Sequence, residues 1–153
     1  MSMLRSLPLI ALLSFVSPSS QTPSFRGDRI CEDFLEKWDK KPTELHFTDC
    51  ERVEHEQIDR FVASYVVKGA EAEAVETYLK EEFNLTSLRF ICCGWDSLNI
   101  DGLSGPSNGL YRDRFGNQFD VNMYSGETLI QDRGQWEKIP KFYVRITTYL
   151  GEP

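Results

Sequence analysis

The chain has 153 residues and a formal net charge of −7, with 24 acidic and 17 basic side chains. That charge argues against a nucleic-acid or anionic membrane partner, because both present negative phosphate groups that acidic proteins repel. The length suits one domain with a real hydrophobic core, so its four cysteines would reinforce the fold rather than create it.

The first twenty residues have the pattern of an export signal. Arg5 is their one charged residue, residues 6–16 are apolar apart from Ser6 and Ser14, and residues 17–20 are serines and a proline. A membrane-spanning helix needs about 20 apolar residues, so this run is too short to span. We therefore predict a signal peptide at residues 1–20, a flexible tether at 21–27 and one domain at 28–153. The mature protein is expected to be secreted or periplasmic, with no stable membrane insertion.

The domain begins with a predicted helix and a predicted hairpin. Cys31, Phe34, Leu35 and Trp38 recur at helical spacing, and the sequence Lys-Lys-Pro at 40–42 ends that helix. Residues 45–53 alternate as a strand. Residues 60–68 are rich in β-branched and aromatic side chains and predict the second strand of the hairpin.

A second helix follows, in which Ala72, Val75, Leu79 and Phe83 form an apolar stripe. Glu76 is placed on the solvent side, spaced for an ion pair with Lys80. The later predicted elements are a strand at 87–93, a loop at 94–108, a hairpin at 110–114 and 118–124, a short helical segment at 132–138 and a strand at 141–150. The order strand, strand, helix, strand thus occurs twice. It predicts an α+β fold: a mainly antiparallel sheet with helices packed on one face, reinforced by disulfides.

The cysteines are the most specific chemical feature. Export favours oxidation, and four cysteines allow three pairings. A bond between the neighbours Cys92 and Cys93 would close a strained eight-membered ring, so that pairing is the least favoured. Of the two remaining pairings, strand alternation leads us to predict Cys31–Cys92 and Cys50–Cys93. A four-thiolate zinc site and a redox-active bond between the neighbouring cysteines are the alternatives. Neither a metal nor a cofactor is expected.

No motif specifies catalysis. His46 and His55 lie in no nucleophile pattern. Asp96, Asp101, Asp113 and Asp120 cluster along the sequence and could pair for glycoside hydrolysis, but such residues more commonly cap turns. We therefore assign no catalytic residue.

The long loop is the candidate binding element. Loops of this length inside a compact domain are uncommon and often functional. We expect Trp95 to be exposed at its start as an apolar anchor, with Asp96, Asp101, Arg112 and Asp113 forming a polar rim.

Four strings of sequence together carry a resemblance to a known family. They are CEDFLEKW at 31–38, LRFICCGW at 88–95, YRD at 111–113 and WxxIPxFYV at 136–144. The pattern resembles the exported bacterial family called domain of unknown function 4952, and would cover nearly the whole mature chain. The resemblance implies a secreted or periplasmic address. It implies no activity and no catalytic residue, since the family has none established.

Three classes of function remain compatible with the sequence. The first is a protein-binding module, such as an inhibitor or immunity-type factor, whose partner would be another protein of basic charge. The second is an enzyme with an unrecognised carboxylate site. The third is a structural protein of the cell envelope.

Overall fold

The computed structural model describes residues 29–54, 58–97 and 109–151. The predicted signal peptide, the tether, His55 and most of the long loop, including Asp101, lie outside these ranges.

The described residues form an α+β fold, as predicted. The helices are α1 (Phe34–Lys37), α2 (Gly69–Phe83) and a 3₁₀ helix (Arg133–Lys138). The strands are β1 (His46–Val53), β2 (Arg60–Lys68), β3 (Arg89–Ile91), β4 (Gly94–Asp96), β5 (Gly109–Arg112), β6 (Gln118–Ser125) and β7 (Lys141–Tyr149). None of the helices in these ranges is long and apolar enough to cross a membrane.

All strand pairs of the sheet are antiparallel. The strands follow the order β1-β2-β7-β6-β4-β3, and β5 pairs with β6 beside β4. The final strand, β7, therefore lies between β2 and β6. The two strand–strand–helix–strand sets share one sheet, with β6 and β7 near its centre.

The hydrophobic core lies on one side of the sheet, beneath the helices. Phe142, Val144 and Ile146 alternate along β7 and are fully buried. The predicted stripe of α2 is confirmed: Val75, Leu79 and Phe83, for example, are at most 1% exposed. Asn84 ends α2 in the left-handed conformation, with φ 54°.

Glu76 is buried, which corrects the prediction that it faces solvent. Its side chain is 3% exposed, and its two carboxylate oxygens accept hydrogen bonds from Arg133 at 2.7 and 2.9 Å. One of these oxygens also accepts from the Leu88 backbone N–H at 2.6 Å, while Arg133 donates to the Leu88 carbonyl at 2.7 Å. This cluster joins α2, the 3₁₀ helix and the segment before β3.

The predicted disulfide pairing is wrong, because Cys31 is bonded to Cys50. The prediction assumed unbroken alternation along β1, which places Cys50 on the side opposite Phe47. A β-bulge between Phe47 and Asp49 adds one residue and reverses that alternation. Phe47 and Cys50 are consequently paired with Tyr65 and Ala63, both of which face the core, so Cys50 lies on the side of the sheet where Cys31 precedes α1.

Candidate functional site on the exposed sheet face

Trp95 is buried, so the expectation that it is an exposed anchor is wrong. Residues 94–96 form β4 rather than the start of a loop, and pairing with β3 directs Trp95 into the core at 5% exposure. Its ring packs edge-on against Trp136 at 5.0 Å, and its Nε1 donates to the Ile130 carbonyl at 2.8 Å. Trp95 is therefore a structural residue.

Asp96 points to the other side of β4, away from the helices. It is paired in register with Tyr124 of β6, and Asn122 donates from Nδ2 to Asp96 Oδ1 at 3.3 Å and to Ser97 Oγ at 3.0 Å. This side of the sheet, opposite α2, is here named the exposed sheet face.

Arg112 also lies on the exposed sheet face, but at its far end. It is paired with Gln118, whose Oε1 accepts from Arg112 Nη2 at 3.0 Å. Arg112 pairs with position 118 of β6 and Asp96 pairs with position 124, so six residues of β6, about 20 Å, separate Arg112 from Asp96. The predicted rim is therefore not one cluster.

Asp113 has a structural role in the turn between β5 and β6. Its carboxylate accepts hydrogen bonds from the backbone N–H groups of Phe115 and Asn117 and from the Asn117 side chain, each at 2.9 Å. An aspartate engaged in this way stabilises the turn. Asp101, the remaining member of the predicted rim, lies outside the described residues.

The centre of the exposed sheet face carries two stacked tyrosines flanked by cations. The Tyr124 and Tyr143 rings lie 5.3 Å apart at an interplanar angle of 19°. The Arg145 guanidinium lies 5.2 Å from the centre of the Tyr124 ring, and the Lys141 ammonium lies 5.1 Å from that of Tyr143. These distances suit cation–π attraction. Both tyrosines are half-buried, whereas Arg145 and Lys141 are exposed.

Burial raises the pKa of the Tyr124 hydroxyl, and the charge of Arg145 opposes that shift. The hydroxyl therefore stays protonated at neutral pH and can both donate and accept a hydrogen bond. Asp120 lies on the same face of β6, four residues before Tyr124. Partial burial raises the pKa of its carboxyl group, although a hydrogen bond with Gln118 lowers it.

Basic residues outnumber acidic ones on this face, although the whole chain is acidic. Within the described strands, register and alternation place there the basic residues Arg60, Lys68, Arg89, Arg112, Lys141 and Arg145, and the acidic residues Asp49, Glu51, Asp96 and Asp120. Acidic side chains instead dominate the outer side of α2, where Glu73, Glu81 and Glu82 are exposed. The exposed sheet face therefore carries a small excess of basic residues, whereas the outer side of α2 is mainly acidic.

Sequence reasoning missed the tyrosine pair because it selected Trp95 as the exposed aromatic residue of the binding element. The signal was present in the alternation. Tyr143 lies between Phe142 and Val144, and Tyr124 follows Met123, so both tyrosines fall on the side opposite buried residues.

The described residues also line two concave regions. One, of about 270 Å³, is lined by Trp38, Tyr111, Phe115 and the polar residues Lys37, Asp113 and Arg114. The other, of about 210 Å³, lies beside the β3–β4 turn and is lined in part by Cys93, Asp96 and Glu127.

Comparison with known proteins gives one match. No curated protein and no solved structure matches the chain. Residues 21–95 match the family model described as domain of unknown function (DUF4952). The match ends at Trp95, so it includes CEDFLEKW and LRFICCGW but not YRD or WxxIPxFYV, and is shorter than the sequence strings implied. The resemblance of this chain to the DUF4952 family is therefore confirmed over residues 21–95.

Proposed function

We propose that this protein is exported and then acts as a protein-binding module, with the exposed sheet face as its binding surface. The partner would place acidic side chains opposite Arg145 and Lys141. The observation that carries the proposal is the stacked pair Tyr124–Tyr143 with its two flanking cations, displayed on the central strands β6 and β7.

The composition of this cluster suits protein recognition. Tyrosine and arginine are enriched among the residues that contribute most to interface affinity, and they concentrate near the centre of interfaces. The rings of Tyr124 and Tyr143 already restrict each other by stacking, and the backbone beneath them is held on both sides by strand pairing. Binding would therefore order few additional side chains, which limits its entropic cost.

The charge of the face supports an acidic contact surface on the partner. The only acidic residue that the described part of β6 and β7 contributes to this face is Asp120, against Lys141 and Arg145. The net charge of the whole chain favours a basic partner instead, and such a partner would be expected on the acidic outer side of α2. An acidic partner is thus expected on the exposed sheet face and a basic partner on the outer side of α2, and an experiment can distinguish these two binding positions.

The proposal of export rests on the N-terminal sequence pattern and on the oxidised pair Cys31–Cys50. Structural disulfides are typical of secreted and periplasmic proteins and rare in the cytosol. A binding module of this kind could be an inhibitor or immunity-type factor, in which case the partner would be an enzyme or toxin whose activity falls on binding.

Site-specific photo-crosslinking tests the proposal. A photoreactive residue replaces Thr147, which lies on the exposed sheet face of β7 between Arg145 and Tyr149, or Thr77, which is exposed on α2. Each variant is expressed in the native host and irradiated. We expect a specific protein adduct from position 147 and none from position 77. The captured protein is then identified, and its own activity is measured with and without the module.

Adducts from position 77 alone would place the partner on the acidic helix side and contradict the proposed surface. Adducts from neither position, in a protein correctly processed and folded, would contradict a binding role for this face.

A further inference from the structure

The two neighbouring cysteines occupy the tip of an exposed hairpin. Ile91 and Gly94 are the last paired residues of β3 and β4, so Cys92 and Cys93 are the two residues of the turn. Both are exposed thiols, and their Sγ atoms lie 2.7 Å apart. Cys92 adopts a φ of 56°, in the left-handed region that non-glycine residues rarely occupy. The turn thus holds both sulfurs together in solvent.

These two thiols have only each other as a bonding partner within the molecule, because Cys31 and Cys50 are already joined. The Cα atoms of Cys31 and Cys50 lie 5.5 Å apart, inside the usual disulfide range of about 4.4–6.8 Å. Consecutive Cα atoms are about 3.8 Å apart, below that range. A bond between Cys92 and Cys93 would therefore be strained, and strained, exposed disulfides are readily reduced.

A cavity of about 210 Å³ opens beside Cys93. Its other lining residues include Trp95, Asp96 and Glu127, so one wall is aromatic and two carboxylates border it. The backbone that carries Cys93 is held in place, since its carbonyl accepts a hydrogen bond from Thr128 N–H at 2.8 Å. A small disulfide, or the cysteine of a peptide, could enter next to the thiols without displacing the turn.

We propose that Cys92 and Cys93 form a two-electron thiol–disulfide exchange site that reacts with disulfide compounds. The thiolate of one cysteine, Cys92, attacks a disulfide R–S–S–R, forming a Cys92–S–S–R bond and releasing one thiolate that takes up a proton as RSH. Cys93 then loses its proton and attacks Cys92, closing the Cys92–Cys93 bond and releasing the second RSH. In this direction two electrons pass from the protein to the disulfide. Because the strained Cys92–Cys93 bond favours the reverse transfer, an excess of disulfide over thiol drives the forward reaction, and an excess of thiol returns Cys92 and Cys93 to the reduced state.

The order of attack follows from the environment of Cys93. Its pKa is raised, first by a hydrogen bond to Cys92, then by desolvation and by the charges of Cys92 and Glu127. Either Sγ of this contact can be the donor, and a Cys93 that keeps its proton can donate to the Cys92 sulfur. We therefore assign Cys92 as the attacking thiolate and Cys93 as the resolving thiol. This inference is independent of the proposed binding surface.

Reaction with bis(2-hydroxyethyl) disulfide tests the site directly. The reduced protein, with Cys31–Cys50 intact, is mixed with an excess of the reagent, and released 2-mercaptoethanol and protein mass are measured. We expect two equivalents of released thiol, no lasting adduct and a protein lighter by two hydrogens. The variants Cys92→Ser and Cys93→Ser should each release one equivalent and retain a mixed disulfide on the remaining cysteine, with unchanged melting temperatures.

Titration with reduced and oxidised dithiothreitol supplies a second readout on the unmodified protein. Peptide mapping should show that Cys92–Cys93 is reduced more easily than Cys31–Cys50. The ratio of reduced to oxidised dithiothreitol that reduces Cys92–Cys93 should be at least about tenfold lower than the ratio that reduces Cys31–Cys50. Stable adducts on both cysteines of the wild-type protein, exchange of Cys92 or Cys93 with Cys31 or Cys50, or reduction of both pairs at the same ratio would overturn the proposal.

Discussion

The ion pair between the buried Glu76 and the partly exposed Arg133 should dominate the stability of the packing between α2 and the 3₁₀ helix. Its geometry is bidentate, with N–O distances of 2.7 and 2.9 Å, and the guanidinium also lies 4.6 Å from the centre of the Trp136 ring. The carboxylate is 3% exposed but the arginine side chain is 39% exposed. The two partners therefore differ in how far solvent can replace the lost contact.

This asymmetry sets the expected magnitudes. Removing one member of a buried ion pair costs about 3–5 kcal/mol. Arg133→Leu should fall near the top of that range, because it leaves the enclosed carboxylate of Glu76 uncompensated. Glu76→Leu should fall near about 3 kcal/mol, because Arg133 can turn partly towards water while the Leu88 N–H loses its acceptor. The free energy of unfolding should fall in the double variant by about 2 kcal/mol less than the sum of the two single losses. A coupling of this size is normal for residues in contact.

Urea unfolding followed by tryptophan fluorescence measures these values, and Glu81→Gln, on the exposed side of the same helix, serves as the control, with a change below about 0.5 kcal/mol. Additive losses in the double variant, or a cost for Glu76→Leu as small as that of Glu81→Gln, would refute the reasoning.

Three further predictions concern individual positions. Gly69→Ala should abolish or severely weaken folding, because an added Cβ would lie 2.0 Å from the Trp136 carbonyl oxygen; circular dichroism melting measures the loss. Asp120→Asn should raise the melting temperature at pH 7 but not near pH 3, because burial raises the folded-state pKa of Asp120, so its ionisation destabilises the fold as pH rises above the unfolded value. Replacing Cys31 and Cys50 by serine should cost about 2–4 kcal/mol in urea unfolding.

Each of these has a clear contrary result. Wild-type melting of the Gly69→Ala protein would mean that α2 begins elsewhere. A stabilisation by Asp120→Asn that is equal at both pH values would show that ionisation is not its cause. An unchanged midpoint for the double serine variant would show that the disulfide does not reinforce the fold.

The strands and the main helix could be predicted from sequence because their signals are local. Residues 60–68 match β2 at both ends, and the stripe ending at Phe83 gives the last turn of α2. Capping residues such as Asp132 and Asn84 mark helix ends by their own backbone preferences.

For Cys50, Trp95 and Glu76, the sequence prediction was wrong because their orientation depends on tertiary structure. The bulge after Phe47 reversed the alternation that decides where Cys50 points, and no local pattern marks it. Trp95 was misread because a three-residue strand is too short for period-two analysis, and only its pairing with β3 reveals it. Glu76 was predicted to face solvent because it is charged, although its spacing from Ala72 and Leu79 puts it on the buried stripe. There the Arg133 guanidinium balances the charge of its carboxylate.

The candidate site could be predicted only in part for the same reason. Asp96 and Arg112 do lie on the exposed sheet face, but Tyr124 and Tyr143 come together only because β7 inserts beside β6. Strand order is a property of the whole chain, and it is what creates the stacked pair.

The proposed binding surface is tested most directly by the dissociation constants with which variants of the exposed sheet face bind the purified partner. Tyr143→Ala and Arg145→Ala should each weaken binding by about 2 kcal/mol or more, roughly 30-fold, while Lys80→Ala, exposed on α2, leaves it unchanged. All three should retain a cooperative melting transition. Wild-type affinity in both face variants, or a loss caused by Lys80→Ala alone, would contradict a binding site on this face of the sheet.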